Sequence, residues 1–470
     1  MSLGLQRRLP VVWALLAGLT VRAAFLHGRP EVSGDTLLYG EIAQNVLRHH
    51  LYGRTTDSLH ATWIRLPGYP LFLAASFLVF GAGSYYPVLW LNVALDLATC
   101  LLIGAIAARL GGRRVGLIAL WIAALCPFTA NYCAVALTET PSLLCVAVAF
   151  YGLQRMTQVS VGKVCWAAVV GAALAVAVLL RPEQGLLSAA VVPAVLWVGW
   201  RSRSRRGSRG LAEAIAPAAL SCAIVLLPLL GWGIRNARVM GHFEPLAPKS
   251  ATDPGEQVPS GFNHWYRTWG IDFKSTYDVY WNYDGAGMAL TDLPRRAIDN
   301  AEQRAQTEKV FAEYNVMQLA RPQFDIQFER IAEERDHLHP LRSHLVLPIA
   351  RVVNMWLRPR TELMDLPLDW WNWKAHAKGF SIAAALALLN LGFLMVAGAG
   401  VWRQRCCLDV VQMSMLGFVV LRSALLLTLD NSEPRYTLEC LPVLIVFAAL
   451  AFRRDLRMGR TLRQVATPSG

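Results

Sequence analysis

Charge is scarce in this 470-residue sequence: Asp, Glu, Lys and Arg make up 16% of it, against 55% apolar residues. That is too little charge to clothe a soluble globular surface, so an ordinary water-soluble enzyme is excluded and a multi-pass membrane protein is left. Acidic residues are scarcer than basic ones, 32 against 45, and the net charge is +13. Much of the excess sits in short loops beside apolar segments, where attraction to anionic lipid accounts for it without nucleic acid. Nine cysteines occur, yet none falls in the stretches read below as exterior, and no C-x-x-C spacing appears. A disulfide framework and a thiolate metal site are therefore not expected; Cys406-Cys407 reads as a membrane-edge pair. Also missing are an internal repeat, a low-complexity tract, a phosphate-cradling glycine loop and a persuasive A-x-A cleavage site after residues 11–27, which therefore read as an uncleaved first span.

What the sequence has in quantity is apolar segments of roughly the 17 to 25 residues that cross a bilayer as helix. They run 11–27, 85–108, 115–134, 163–180, 184–200, 211–233, 379–402, 409–429 and 436–452, with a shorter one at 141–155. The expectation is an all-α polytopic membrane protein of about ten transmembrane helices. Basic clusters at Arg7-Arg8, 109–114, 201–210, 402–405 and 453–460 then fall on one side, the cytoplasmic one, with both termini. Arg29, Arg48, Arg54 and Arg65 in the loop 28–66 are a counter-signal to that orientation.

Three regions follow. Residues 1–233 form an N-terminal transmembrane module with a first exterior loop at 28–84, 234–378 an α-rich exterior cap, and 379–470 the last spans and a cytoplasmic tail. Residues 67–82 are apolar but too short to span comfortably, and read as a helix lying in the interface. In the cap, 297–335 has the pattern of an amphipathic helix, while 345–357 is apolar but bracketed or interrupted by Pro340, Pro348 and Pro359. Trp356, Trp370, Trp371 and Trp373 read as interfacial anchors.

The candidate chemistry lies at one face. Asp35 opens the polar stretch GDTLLYGEIAQN just beyond the first span, where a carboxylate at the mouth of a bundle invites a functional explanation. Its ordinary alternative is a helix cap, since Asp35, Tyr39, Ile42 and Val46 share one helical face. A carboxylate within hydrogen-bond reach can take a proton from a hydroxyl, and a fixed guanidinium can hold the charge on a phosphate, so one carboxylate plus arginines is a sufficient set for general-base chemistry on a phosphate-bearing substrate. Arg65, Arg181, Arg235 and Arg435 each lie near the exterior end of a span and suit phosphate by their planar fork; Arg435 is preferred, and snorkelling to headgroups is the plain alternative. Glu139 and Glu183 sit at exterior helix ends, where they either bind substrate or pair with arginine. Asn92 and Asp96, four apart inside a span, read as glue between helices, and Arg22 and Arg422 need interior partners that the sequence does not name. His337, His339 and His344 read as a solvated helix rather than zinc ligands. Trp265, Tyr266, Trp269, Tyr280 and Trp281 either stack on a sugar or pack the cap.

Taken in order, GDTLLYGEIAQNVLRHHLYG, RLPGYPLFLA, ALTETPSLL, LLRPEQGLL, GWGIRNARVMGHFEPL and EPRYTLECLPVL resemble the bacterial GT-C membrane glycosyltransferases, relatives of protein O-mannosyltransferases and of the lipid A aminoarabinose transferase. The resemblance implies a GT-C fold in a bacterial inner membrane. It also implies transfer of a hexose or pentose from a polyprenyl-phosphate donor to a glycan, lipid or protein acceptor at the periplasmic face. It places the catalytic base at Asp35; Tyr39, Tyr69, Glu139, Glu183 and Tyr436 are the candidate substrate contacts beside it. Where relatives often carry a second acid, this chain has Thr36, and Arg65 stands where some have another, so participation of a divalent metal is left open. The rival class, a transporter or flippase, calls for midplane sites in repeated halves; the clustering of charge at one face favours the enzyme.

Overall fold

The computed structural model describes residues 3–454 except 29–31, 33, 57, 160, 207–210, 249 and 365. Arg29, part of the 201–210 run and the tail beyond Arg454 lie outside the described residues. The described residues are mostly helical, with one two-stranded hairpin among them in which Gly53–Thr55 pairs antiparallel with Leu59–Ala61. Long runs of Ala, Leu and Val become helices because in hydrocarbon a helix satisfies every backbone group within its own segment. Among the described residues six helices are long and apolar enough to cross a membrane: Leu9–His27, Tyr85–Gly111, Lys163–Leu180, Pro182–Arg201, Leu211–Met240 and Ala377–Gln404.

Small residues let the bundle close. Tyr85–Gly111 and Arg113–Ala124 lie so near each other that a Cβ on Gly116 would sit 2.7 Å from the Gly104 carbonyl oxygen. Arg22 and Asp96, both buried, join two helices: Arg22 Nε donates to Asp96 Oδ2 at 2.8 Å, and its Nη1 reaches the Gly18 and Ala124 carbonyls. Arg22 thus acquires the interior partner it needs. Asn92 ties its helix to the Val135 carbonyl at 2.9 Å.

Several expected segments are broken at prolines. The span at 115–134 ends as a helix at Ala124 and restarts as Pro127–Tyr132, because Pro127 has no N–H to continue the ladder. The last span begins as a 3-10 turn, Pro434–Cys440, before the helix Leu441–Leu450. The single amphipathic helix expected over 297–335 is two, Ala301–Asn315 and Pro322–Leu338, separated where Gln318 takes φ 53° and Pro322 starts a new first turn. Between Pro340 and Pro359 the chain widens into an irregular turn, Arg342–Val346, and then forms Leu347–Leu357.

The segment after Met240 has its own aromatic core, in which Trp265, Tyr266 and Trp269 are buried against Phe311, Tyr314 and Phe328. These rings therefore pack this region rather than facing a ligand. Asp253 clasps this region to the first loop by accepting from the Thr62 hydroxyl at 2.8 Å and the Trp63 amide at 3.1 Å.

Candidate active site

Asp35 is the first residue of the helix Asp35–His49, and Gly34 before it, at φ 56°, is the cap. The capping role weighed for Asp35 is not formed, since no side-chain cap bond is made there. Its carboxylate instead turns to two arginines from opposite ends of the sequence. Oδ1 accepts from Arg65 Nη2 at 2.8 Å and Oδ2 from Arg435 Nη1 at 3.2 Å. Thr36 points the other way, its hydroxyl on the Ala136 carbonyl at 3.3 Å, anchoring the helix.

The RLPGYP motif explains where Arg65 comes from. Gly68 starts the helix Gly68–Phe80 against the end of Lys163–Leu180, where a Cβ would meet the Leu179 carbonyl oxygen at 2.5 Å. Only glycine permits that approach, which brings the Arg65 loop alongside Asp35. Tyr69 is buried behind it, its ring edge-on to Tyr39 at 5.1 Å. Tyr39 lies one turn after Asp35, with the Arg65 guanidinium 5.9 Å from its ring centre.

From Arg435 the charges continue inward as a chain. Arg435 pairs with Glu433 and stands 3.7 Å from Glu139 Oε1. Glu139 also takes Arg181 Nη1 at 2.8 Å, and Arg181 Nε reaches Glu183 at 2.7 Å and Glu439 at 3.3 Å. Arg422 ends the series, 3.1 Å from Glu439 Oε2 and bonded through Nε to the Tyr436 carbonyl at 2.9 Å. The Tyr436 hydroxyl donates to Glu433 Oε1 at 2.8 Å.

Every sequence candidate except Arg235 therefore belongs to this cluster or borders it. Arg235 lies apart, donating to the Thr62 and Tyr52 carbonyls at 2.8 and 2.7 Å, which fastens the first loop to the Leu211–Met240 helix. Sequence reasoning missed Glu433 and Glu439; the available signal was two carboxylates six residues apart in an otherwise apolar terminal segment. His337 and His339 make no part of it, and His344 stands 3.8 Å from Asp336, remote in the fold's aromatic-cored region.

The outer and inner ends of this chain differ in access. Asp35, Arg65 and Arg435 keep 27, 25 and 23% of their side-chain surface exposed, whereas Glu139 and Glu439 keep 1% or none. Burial pushes the Asp35 carboxyl up, but Arg435 and Arg65 outweigh it and hold its pKa down at about 2. Arg435 is held well above its ordinary value: its burial opposes the charge, but Glu433, Glu139 and Asp35 overcome that. Each Asp35 oxygen is held by a guanidinium, and among the described residues no group of three His, Cys, Asp or Glu stands close enough to hold a metal.

Comparison with known proteins adds the context. Residues 64–232, about a third of the chain, match the family described as dolichyl-phosphate-mannose-protein mannosyltransferase. No curated protein sequence matches the chain significantly. Among solved structures, the Archaeoglobus fulgidus oligosaccharyltransferase, tethered to an acceptor peptide, superposes with a TM-score of 0.52 at 11% identity over 98% of this chain and 51% of its own. ArnT from Cupriavidus metallidurans, bound to undecaprenyl phosphate, is more distant, with a TM-score of 0.39 and 13% identity over 98% of this chain and 81% of its own. The chain thus spans about half the length of the oligosaccharyltransferase it resembles. Residues 64–232 are thus similar to the dolichyl-phosphate-mannose-protein mannosyltransferase family, and the chain shares the fold of the Archaeoglobus fulgidus oligosaccharyltransferase.

Proposed function

We propose that this chain is an inverting membrane glycosyltransferase that moves a sugar from a polyprenyl-phosphate donor to an acceptor at the extracytoplasmic face, with Asp35 as the base. The observation that carries the reading is the partly exposed Asp35 carboxylate held between Arg65 and Arg435. In the reaction the acceptor hydroxyl oxygen bonds to the anomeric carbon and its proton passes to Asp35. The bond from that carbon to the phosphate oxygen breaks, its electron pair staying on the phosphate, which Arg435 and Arg65 stabilise.

The low pKa of Asp35 fits this sequence of events. With both arginines on it, the carboxylate is a poor base. A donor phosphate competes for the same guanidinium forks, and as they turn to it Asp35 loses the charges that depress its pKa and gains proton affinity. The inner series Glu139–Arg181–Glu439–Arg422 holds Arg435 in place from behind. Tyr39, Tyr69 and Tyr436 border the cluster, and Glu139 and Glu183 serve it through Arg181 rather than as free ligands.

In this reading the polypeptide has about ten spans, the remaining ones formed by shorter or less apolar helices such as Val410–Leu426 and Glu139–Gln158. Residues 234–378 cap the bundle from outside, and the placement is a bacterial inner membrane with the Asp35 cluster toward the periplasm. A polyprenyl-phosphate hexose and a pentose are the two donors to try first. The test is transfer of labelled sugar to membrane extract by the wild type and by Asp35→Asn, with binding of the donor measured in parallel. Loss of transfer with donor binding kept supports the reading; transfer retained by Asp35→Asn removes Asp35 as base.

A further inference from the structure

The helix Leu347–Leu357 and the residue that caps it carry two arginines that the site above does not use. Arg351 and Arg358 are seven residues apart, two helical turns, and so share a face. Asn354 lies on the same face, where its Oδ1 accepts from the Ser432 hydroxyl at 3.3 Å. Both arginines are buried, and neither pairs with a carboxylate within ion-pair distance, unlike Arg22, Arg181, Arg422 and Arg435.

Arg358 is the sharper case. It is 6% exposed, its guanidinium makes no hydrogen bond to any described residue, and its Nε is sealed from water. Its one specific contact is the face of Phe273, 5.0 Å from the ring centre. Asp272 and Glu362 are near enough to be felt; Asp272 is paired with Arg296, and Glu362 accepts from the Tyr132 hydroxyl at 2.8 Å through Oε1 while its Oε2 is buried without a partner. Arg351 spends Nη1 on the Arg267 and Gly270 carbonyls at 2.9 and 3.0 Å, leaving Nε and Nη2 without partners. A sealed, unmet donor on a buried arginine, Nε in Arg358 and Nε and Nη2 in Arg351, is a costly arrangement unless a ligand meets it.

The backbone next to Arg358 adds an independent sign. Arg360 takes φ 58°, a left-handed conformation unusual for a branched-free but bulky side chain, and its guanidinium donates to the Pro434 carbonyl at 2.9 Å and to the Thr437 hydroxyl. The strained 358–360 segment is thereby fixed to the turn that carries Arg435.

The geometry points to a second anion site at Arg358, separate from the Asp35 cluster and completed by a phosphate-type oxoanion. Arginine's planar fork offers paired donors to such a group, and Phe273 holds the guanidinium flat without competing for its N–H groups. Two sources supply this chemistry, a phosphate on a polyprenyl lipid or the headgroup of an ordinary anionic lipid. The inference does not depend on the transferase reading.

The experiment uses the full chain in phosphatidylcholine nanodiscs, with inorganic phosphate as probe and chloride holding the ionic strength constant. In the wild type, phosphate raises the thermal midpoint. In Arg358→Gln the midpoint is higher without phosphate, because an unpaired buried charge is gone, and affinity read from the phosphate-dependent rise falls at least about tenfold. Arg358→Lys keeps a charge at the site and binds phosphate several-fold more weakly, and Arg435→Gln retains the response. Loss of the inorganic-phosphate response on adding a polyprenyl phosphate identifies that lipid as the source, and loss on adding phosphatidylglycerol identifies the headgroup. The proposal is overturned if the wild type shows no phosphate-dependent rise, or if Arg358→Gln shows the same rise as the wild type. Transfer lost in Asp35→Asn bears on the other cluster only, so the two ideas fail separately.

Discussion

Two arginine–aspartate contacts in this molecule have nearly the same chemistry and opposite settings. Arg22 and Asp96 are shut inside the bundle, and the Arg22 guanidinium is further bonded to the Gly18 and Ala124 carbonyls. Arg435 and Asp35 meet at 3.2 Å with about a quarter of each side chain exposed, and Asp35 is shared with Arg65. The first pair has no room for a third party. The second is partly open to solvent, which is what the proposed role of a site requires and a staple does not.

Breaking the staple has the largest expected effect on folding. Arg22→Met leaves the Asp96 carboxylate buried without its partner and lowers stability by about 3–5 kcal/mol, read as a fall in thermal midpoint. Replacing both, Arg22→Met with Asp96→Leu, recovers most of that loss, whereas a double replacement at Asp35 and Arg435 removes the activity. Next in size, Arg435→Ala weakens donor affinity about tenfold to a hundredfold, and because the buried Glu433 loses its partner the thermal midpoint falls as well. Donor binding equal to wild type places the phosphate elsewhere.

A pH series sharpens the same contrast. Because the free Asp35 pKa lies near 2, its ionised form, and the stabilisation from its arginines, is complete above the unfolded value of about 3.9 and fades only as pH falls toward 2. Accordingly kcat/KM, which reports the free enzyme, shows no acid limb between about pH 8 and pH 5. A limb near neutrality assigns the base to another group.

The smallest effect belongs to His264, far from either pair. Both its ring nitrogens meet carboxylates, Glu329 at 2.8 Å and Asp336 at 2.9 Å. Burial lowers its pKa, but these bonds outweigh that and raise it. The stabilisation is full below the unfolded value of about 6.5 and lost as pH rises through the raised folded value. His264→Gln therefore lowers the thermal midpoint at pH 6, by no more than about 1 kcal/mol for so exposed a group, and the gap to wild type closes toward pH 9.

Much of this site was legible in the sequence because apolar surroundings make each charge conspicuous. Asp35, Arg65, Arg181 and Arg435 stand out at the ends of hydrophobic runs, and Arg22 announces that a partner exists. Which partner it takes was not legible, since Arg22 and Asp96 meet only when two helices pack at a particular rotation. Arg235 shows the converse: its position at a span end is that of the other arginines, yet its guanidinium is turned to backbone carbonyls. The split of 297–335 escaped pattern reading because its charged and apolar residues keep helical spacing on both sides of the break. Only Pro322 marked it. The unpaired state of Arg358 is likewise a property of the folded surroundings, which Phe273, distant in sequence, helps to define.

The most direct test of the central claim is sugar transfer from polyprenyl-phosphate donors by wild type, Asp35→Asn and Arg22→Met with Asp96→Leu, at matched thermal stability. The account predicts transfer by the wild type and the double variant, and a loss of at least about a hundredfold in Asp35→Asn with donor binding retained. Transfer by Asp35→Asn at the wild-type rate would contradict it.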